Sequence, residues 1–422
     1  MQGAAEPSAL IVTLGDHYFA PGIDQLSWFI SRHSLGFEPT PDNILINGQG
    51  TFDCSRLLNR DQYNCSSVDA RFAEIHLEQG KTHRLRLVNV GSVGHQTFSI
   101  DDHRLSVIEA DGGVVEPYVT TRVSIAPGQR YSVLVTANQT SGTTFWLWSE
   151  MDSECLNVAT PNLEYQAKAV VTFDLELRTA FQRNVLRTGL PQTSPWPRKD
   201  GEQACHDESP HLLRPLRSAE HGAPLTPLLQ LDKGDKREII TVTMPKLDRN
   251  GLVPVSWINR TQWRSPTTPL LHSIVHPNTT TFPPNPSHQL VLTPSPSYAV
   301  TRELIINNSD EAPHPFHLHG HKFSLIATYE SSFDFGAYSH THPNTDAQWF
   351  DEQSAPVRDT VSVPRRGFAV IRWRTDNPGV WALHCHVLVH MQTGMALAVV
   401  KGVGEVRRLP FVRGLEGEMC AK

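Results

Sequence analysis

At 422 residues, with 37 Lys and Arg against 43 Asp and Glu and a formal net charge of −6, the chain is too long for one ordinary domain. It also has the wrong charge for a nucleic-acid partner. The hydrophobic fraction, 39%, supplies buried cores, and no stretch approaches the ~18 apolar residues of a membrane span.

The opening MQGAAEPSALIVTLGD lacks a basic region, and its apolar run from Ala9 to Leu14 is shorter than a signal-peptide core. Five Asn-x-Ser/Thr sequons, at Asn64, Asn138, Asn259, Asn278 and Asn307, lean instead toward a glycosylated protein of the secretory pathway. Six cysteines are too few for a disulfide scaffold in a chain this long. Cys54 and Cys65 share one loop-like stretch and either pair or remain free thiols.

Short runs rich in Val, Ile, Leu and Thr alternate with Gly, Pro and Asn through both halves, as in LRLVNV, RVSIAPGQRYSVLVTA, RELIINN and TVSVPRRGFAVIRWRT. That grammar predicts an all-β protein of two β-sandwiches. Between 178 and 235 the texture changes: seven prolines among Ser, Arg, Glu and His mark a long irregular linker. The expected division is a first sandwich over 1–177, the linker, a second sandwich over 236–405 and a tail over 406–422.

The two blocks repeat each other. His95-Gln-Thr-Phe98-Ser-Ile100 matches His314-Pro-Phe-His317-Leu-His319, and HRLSVIEAD from His103 matches HKFSLIATY from His321 with an offset of one residue. On this pairing His95 is the counterpart of His314, Phe98 and Ile100 stand where the second block has His317 and His319, and Trp146-Leu-Trp148-Ser lies near the His384-Cys385-His386 position.

Those histidines belong to two clusters, His314-Pro-Phe-His317-Leu-His319-Gly-His321 and His384-Cys385-His386-Val-Leu-Val-His390-Met-Gln-Thr-Gly-Met395, which hold seven of the 21 histidines. Blue copper takes one thiolate, two imidazoles and a weak axial thioether. Cys385, His390 and Met395 supply three of these from one strand and the loop after it, with His314 as the distant fourth. Side chains alternate along a strand, so Cys385 faces one way while His384 and His386 face the other. His317 and His319 share a face, and His314 has opposite parity. One face thus collects a mononuclear site, and the other presents four imidazoles to a second metal centre.

HPFHLHGH and HCHVLVHMQTGM resemble the third and fourth copper-binding motifs of multicopper oxidases, the laccase and ferroxidase family. NILINGQGTFDCS and the first block are similar to that family's copper-free middle domain. The resemblance implies cupredoxin-like Greek-key sandwiches, the second of them binding copper. His314, Cys385 and His390 would hold type 1 copper with Met395 axial. His317 would hold type 2 copper, and His319, His384 and His386 the type 3 pair. It further implies one-electron oxidation of a small-molecule reducing substrate, a phenol, related aromatic or low-valent metal, coupled to reduction of O2 to water.

Cys385 and its flanking His384 and His386 form the electron path in this reading. Met395, in place of a non-coordinating side chain, is expected to lower the type 1 potential and favour easily oxidised substrates. A complete family member has two further His-x-His motifs in a first domain, and this sequence shows neither, so the trinuclear site is expected to be incomplete in this chain and the first domain missing. The remaining His340-Thr-His342 reads as surface loop. The alternative is a single-copper electron-transfer or copper-binding protein, or an inactive truncated oxidase. Asp351 and Glu352 are the candidate carboxylates for a metal substrate, and Arg358 and Asp359 are expected to form a structural ion pair.

Overall fold

The computed structural model describes residues 9–57, 65, 71–139, 142–156, 163–173, 190–200, 202, 204–217, 237–246, 251–275, 282–292, 300–339, 346–351 and 354–408. It divides into two units, Met1–Arg217 and Ser218–Lys422. Among the described residues no helix is long and apolar enough to cross a membrane.

Each unit is a two-sheet sandwich of strands. In the first, one sheet runs Asn43–Ile46, Ala9–His17, Thr82–Asn89, Arg130–Thr136, Leu105–Ala110, Gly113–Thr120, and the other Ala73–His76, Gln166–Thr172, Thr144–Met151, Gln96–Ile100, Arg122–Ile125. The second unit repeats this order, with Trp257–Ile258, Arg237–Thr243, Thr301–Asn308, Phe368–Arg374, Phe323–Tyr329 and Gln348–Trp349 facing Val291–Leu292, Ala396–Lys401, Gly379–Cys385, His314–Leu318 and Thr360–Val363. Alternation along Thr82–Asn89 sends Leu85 and Leu87 into the core and leaves Arg84 and Arg86 outside. The equivalent Thr301–Asn308 is buried on both faces. Its outer face is covered by Ala347, Phe350 and Ala355, which pack on Ile305, Phe368 and Val370.

Part of the stretch expected as linker belongs to the first sandwich. Prolines keep residues 190–217 from forming a ladder of their own, but their carbonyls and carboxylates accept hydrogen bonds from the sheet. Trp146 Nε1 donates to Pro191 O at 2.8 Å, Trp196 Nε1 to Ile100 O at 2.8 Å, and Ser124 N to Glu208 Oε1 at 2.9 Å. Arg122, almost fully buried, bonds Glu150 at 2.6 Å, Glu202 at 3.2 Å and Trp196 O at 2.9 Å. Leu213 completes the core. A disulfide between Cys155 and Cys205 fastens this strap, and Cys54 pairs with Cys65. Cys420, His340, His342, Glu352, Asn64 and Asn278 lie outside the described residues. Asn307 is buried, its side-chain oxygen accepting from Tyr338 N, so in the folded state it is no acceptor for a glycan.

Arg122→Ala leaves Glu150 and Glu202 without their shared cation. It is expected to destabilise the first unit by about 3–5 kcal/mol, measured by chemical denaturation, and to expose residues 196–208 to limited proteolysis.

Candidate metal centre

The strands His314–Leu318 and Gly379–Cys385 pair antiparallel, with Phe316 opposite Cys385, His317 opposite His384 and Leu318 opposite Leu383. Directly opposed residues share a face. Phe316, Leu318, Leu383 and Cys385 therefore enter the core, all at most 1% exposed. His317 and His384 point the other way. After Cys385 a short helix, Leu388–Thr393, returns His390 to the same end. Cys385 N donates to Met395 O at 3.1 Å and Met395 N to His390 O at 2.9 Å, so backbone bonds tie Cys385, His390 and Met395 together, with Met395 fully buried.

His314 Nδ1 and His390 Nδ1 each lie 3.7 Å from Cys385 Sγ and 3.2 Å from each other. A metal bonded to imidazole nitrogens at ~2.0 Å and thiolate sulfur at ~2.3 Å with trigonal angles holds its ligand atoms about 3.5–3.7 Å apart. The two Nδ1–Sγ separations meet that spacing, and the Nδ1–Nδ1 separation, 3.2 Å, is somewhat shorter. Among the described residues the three buried donors are the one His/Cys/Asp/Glu group of metal-binding geometry. Two imidazoles and a thiolate beside a methionine are the donor set of type 1 copper.

A carboxylate not singled out in the sequence completes this end. Asp310 Oδ2 sits 2.9 Å from His314 Nε2, which orients the ring so that Nδ1 faces Cys385. Burial raises the Asp310 carboxyl, but the bond to His314, its charge and the Met244 amide outweigh it and hold the group below its usual range. Burial lowers His314 in turn, yet Asp310 and Cys385 lift it to about 9. Burial raises the Cys385 thiol, and the two imidazoles bring it down to about 7. The site is therefore built to stabilise a thiolate. Asp351, the sequence candidate, instead caps a turn, its Oδ1 accepting from Ser354 N and Oγ at 2.7 Å.

On the opposite face the four remaining imidazoles meet. Ring centroids of His317 and His319 are 4.6 Å apart, of His319 and His384 5.2 Å, of His384 and His386 5.7 Å, and of His317 and His386 6.2 Å. His384 Nδ1 lies 2.9 Å from Cys385 O and His317 Nδ1 lies 3.1 Å from Asp359 O. In each ring Nδ1–H donates to a carbonyl, which leaves Nε2 as a lone-pair donor. His319 Nε2 and His384 Nε2 stand 3.0 Å apart. Asp359, expected in an ion pair with Arg358, places Oδ1 3.4 Å from His317 Nδ1 and accepts from Thr360 Oγ1 at 2.8 Å. Burial, the largest cause, drives His384 down to about 4, and it lowers His319 as well. His321 faces His319 O through Nδ1 and packs edge-on to Trp381.

The register in the first unit corrects the pairing of the two blocks. Gln96 lies opposite Ile125 as His314 lies opposite Val363, and Phe98 faces Ser149 as Phe316 faces Cys385. Asp101 N bonds Trp146 O where His319 N bonds Ala382 O. The counterparts of His314, His317, His319, His384 and Cys385 are thus Gln96, Ser99, Asp101, Trp148 and Ser149. His95, Phe98 and Ile100 are not counterparts of ligands. The reason is a loop one residue longer: Asn89 Nδ2 closes it on Gly94 O, while Asn308 Nδ2 closes the second on Ala312 O. Where the second unit gathers ligands, the first makes ordinary hydrogen bonds, Ser149 Oγ to Gln96 Oε1 at 2.7 Å and Trp148 Nε1 to Asp101 Oδ1 at 2.8 Å.

Comparison with known proteins agrees with this geometry. Two family models, both described as multicopper oxidase, match residues 8–169 and 260–405. The chain belongs to the multicopper oxidase family. It is 33% identical over 390 residues to the oxidoreductase OpS5 of Beauveria bassiana, covering 90% of this chain and 57% of that one. It is 28% identical over 402 residues to the iron transport multicopper oxidase FET5 of Saccharomyces cerevisiae, covering 93% and 57%. The fold is similar to that of the laccase from Botrytis aclada, with a TM-score of 0.76 at 24% identity over 98% of this chain and 68% of that one. The chain spans 57% of the length of both curated relatives. Copper is the cofactor of the family, and the His314–Cys385–His390 group is consistent with its type 1 site.

Two outcomes are expected. Asp310→Ala, which frees the His314 ring, weakens copper binding at this site about 10- to 100-fold, read by chelator competition. In the copper-free protein His384 titrates near 6.5 when unfolded and about 4 when folded. Its contribution is therefore complete above pH 6.5 and is lost as pH falls through the folded value. Denaturation curves from pH 7 to 4 should show a decline on the order of 3 kcal/mol that His384→Ala reduces.

Proposed function

We propose that this chain is the electron-accepting part of a multicopper oxidase, taking single electrons from a small reducing substrate at the His314–Cys385–His390 end. The observation that carries it is the pairing of two strands that puts a buried thiolate site on one face and four imidazoles on the other. Bound copper would supply one-electron redox chemistry at the first set and four-electron reduction of O2 at the second.

His314, Cys385, His390 and Met395 are the residues that would hold type 1 copper, His317 type 2, and His319, His384 and His386 the type 3 pair. His314, Cys385, His390 and Met395 are all at most 1% exposed, which closes the first set to water, and the peptide bonds from Cys385 to His384 and His386 give the shortest covalent link between the two. Asp310 holds His314 in the tautomer that presents Nδ1, whereas the Asp359 carbonyl, accepting from His317 Nδ1–H, holds that ring in the tautomer that presents Nε2.

Two features support a choice of substrate. The Asp310 carboxylate, in contact with His314, suits a low-valent metal cation. Phe333 and Phe335, exposed on a loop held by Arg366 next to Asp310, suit an aromatic such as a phenol. The name of one relative, an iron transport multicopper oxidase, fits the metal cation. The two disulfides support an oxidising, secretory setting.

The second set is incomplete within this sequence, which contains no further pair of His-x-His motifs of the family's first domain. A second reading follows, a single-copper electron-transfer protein. It is favoured by the three-residue group being the one metal-binding geometry among the described residues.

Copper per chain and oxygen uptake separate these outcomes. About one tightly held copper, with no oxygen consumption on adding a simple phenol, supports a chain that accepts electrons but does not reduce O2 by itself. Four coppers, or oxygen uptake by the purified chain, sinks the incomplete-site reading.

A further inference from the structure

The loop between His390 and Met395 is too short to hold its own shape. The helix Leu388–Thr393 has six residues, well below the length at which a helix is stable alone, and its last carbonyls have no partner within it. Residues 256–263, more than a hundred positions earlier, supply those partners. Ser256 N donates to Thr393 O at 3.3 Å and Gln262 Nε2 to the same oxygen at 3.0 Å. Trp263 N donates to Gly394 O at 3.1 Å.

A buried hydroxyl relay adds to this. Thr393 Oγ1 donates to Val389 O at 2.8 Å and lies 2.8 Å from Ser256 Oγ, which then donates to it. Ser256 is fully buried and Thr393 4% exposed, so neither hydroxyl has water as an alternative. The approach leaves no room for a side chain at Gly394. A Cβ there would stand 2.6 Å from both Gln262 Cγ and Ser256 O, and the residue's φ of +126° is one that only glycine adopts readily.

We propose that Ser256, Gln262 and Trp263 are positioning residues that brace Thr393–Gly394 and thereby set how closely Met395 approaches the His314–Cys385–His390 group. Met395 follows the braced glycine directly, and its own backbone is bonded on both sides to His390 and Cys385, so displacement of Gly394 is transmitted to Met395. This inference rests on the reading of that group as a type 1 copper site.

The test uses the full chain loaded with copper. Ser256→Ala and Thr393→Val are expected to keep one copper at saturation but to bind it about 10-fold more weakly. They are also expected to shift the reduction potential upward, as a weakened axial thioether requires, and to change the copper hyperfine splitting. Thr393→Ser, which keeps the hydroxyl, restores the wild-type values, and Gly394→Ala gives the largest shift. A blue wild type whose Ser256→Ala and Thr393→Val variants have unchanged potential and hyperfine splitting overturns the brace alone. A copper-loaded wild type with no blue absorption overturns the type 1 reading and the brace with it.

Discussion

Everything at the metal centre depends on the register in which His314–Leu318 meets Gly379–Cys385. Because Phe316 stands opposite Cys385, the sulfur is directed into the core and the adjacent histidines are directed out of it. A slip of one residue would exchange the two faces, turning His384 into the core and the Cys385 thiol out of it. The register is held by apolar pairs on the inner face, Phe316 with Cys385 and Leu318 with Leu383, each essentially free of solvent. Burial of such side chains is worth about 1.5–3 kcal/mol apiece, so hydrophobic packing holds the two strands in the register that places the sulfur and the imidazoles.

The duplicated unit shows what that frame becomes without ligands. Its matching face is closed by its own chain: Trp146 and Trp148 lie under Lys168 and the strap that begins at Leu190. In the second unit His319 is exposed and His317 and His386 are half-buried. One architecture thus serves as a sealed support and as a surface that gathers imidazoles, and the difference lies in a handful of side chains on two strands.

Charge completes the arrangement. Buried imidazoles and a buried thiol all favour their neutral forms by desolvation. Asp310 and the mutual attraction of His314 and Cys385 reverse that preference at the thiolate end. Among the described residues no carboxylate bonds His384, and burial keeps that ring neutral with an available lone pair. The two faces are therefore poised as anionic and neutral donor sets, matched to the softer and harder metal positions they are read to hold.

The sequence by itself determined the fold class, the duplication and the two donor sets. Strand alternation is local, so the parity of His314, His317, His319, His384, Cys385 and His386 could be read directly from their spacing. The tertiary structure decided what depends on loops and on distant segments. Asp310 is one carboxylate among many until the chain turns back at Asn308. The counterparts of the ligands in the first unit are displaced by a loop one residue longer, which no residue pattern marks. The stretch over 190–217 reads as linker because its prolines and charges show no strand period, yet it is bound through carbonyls and ion pairs that periodicity does not encode. The grip of Ser256 and Gln262 on Thr393 joins positions far apart in the chain, and only folding brings them together.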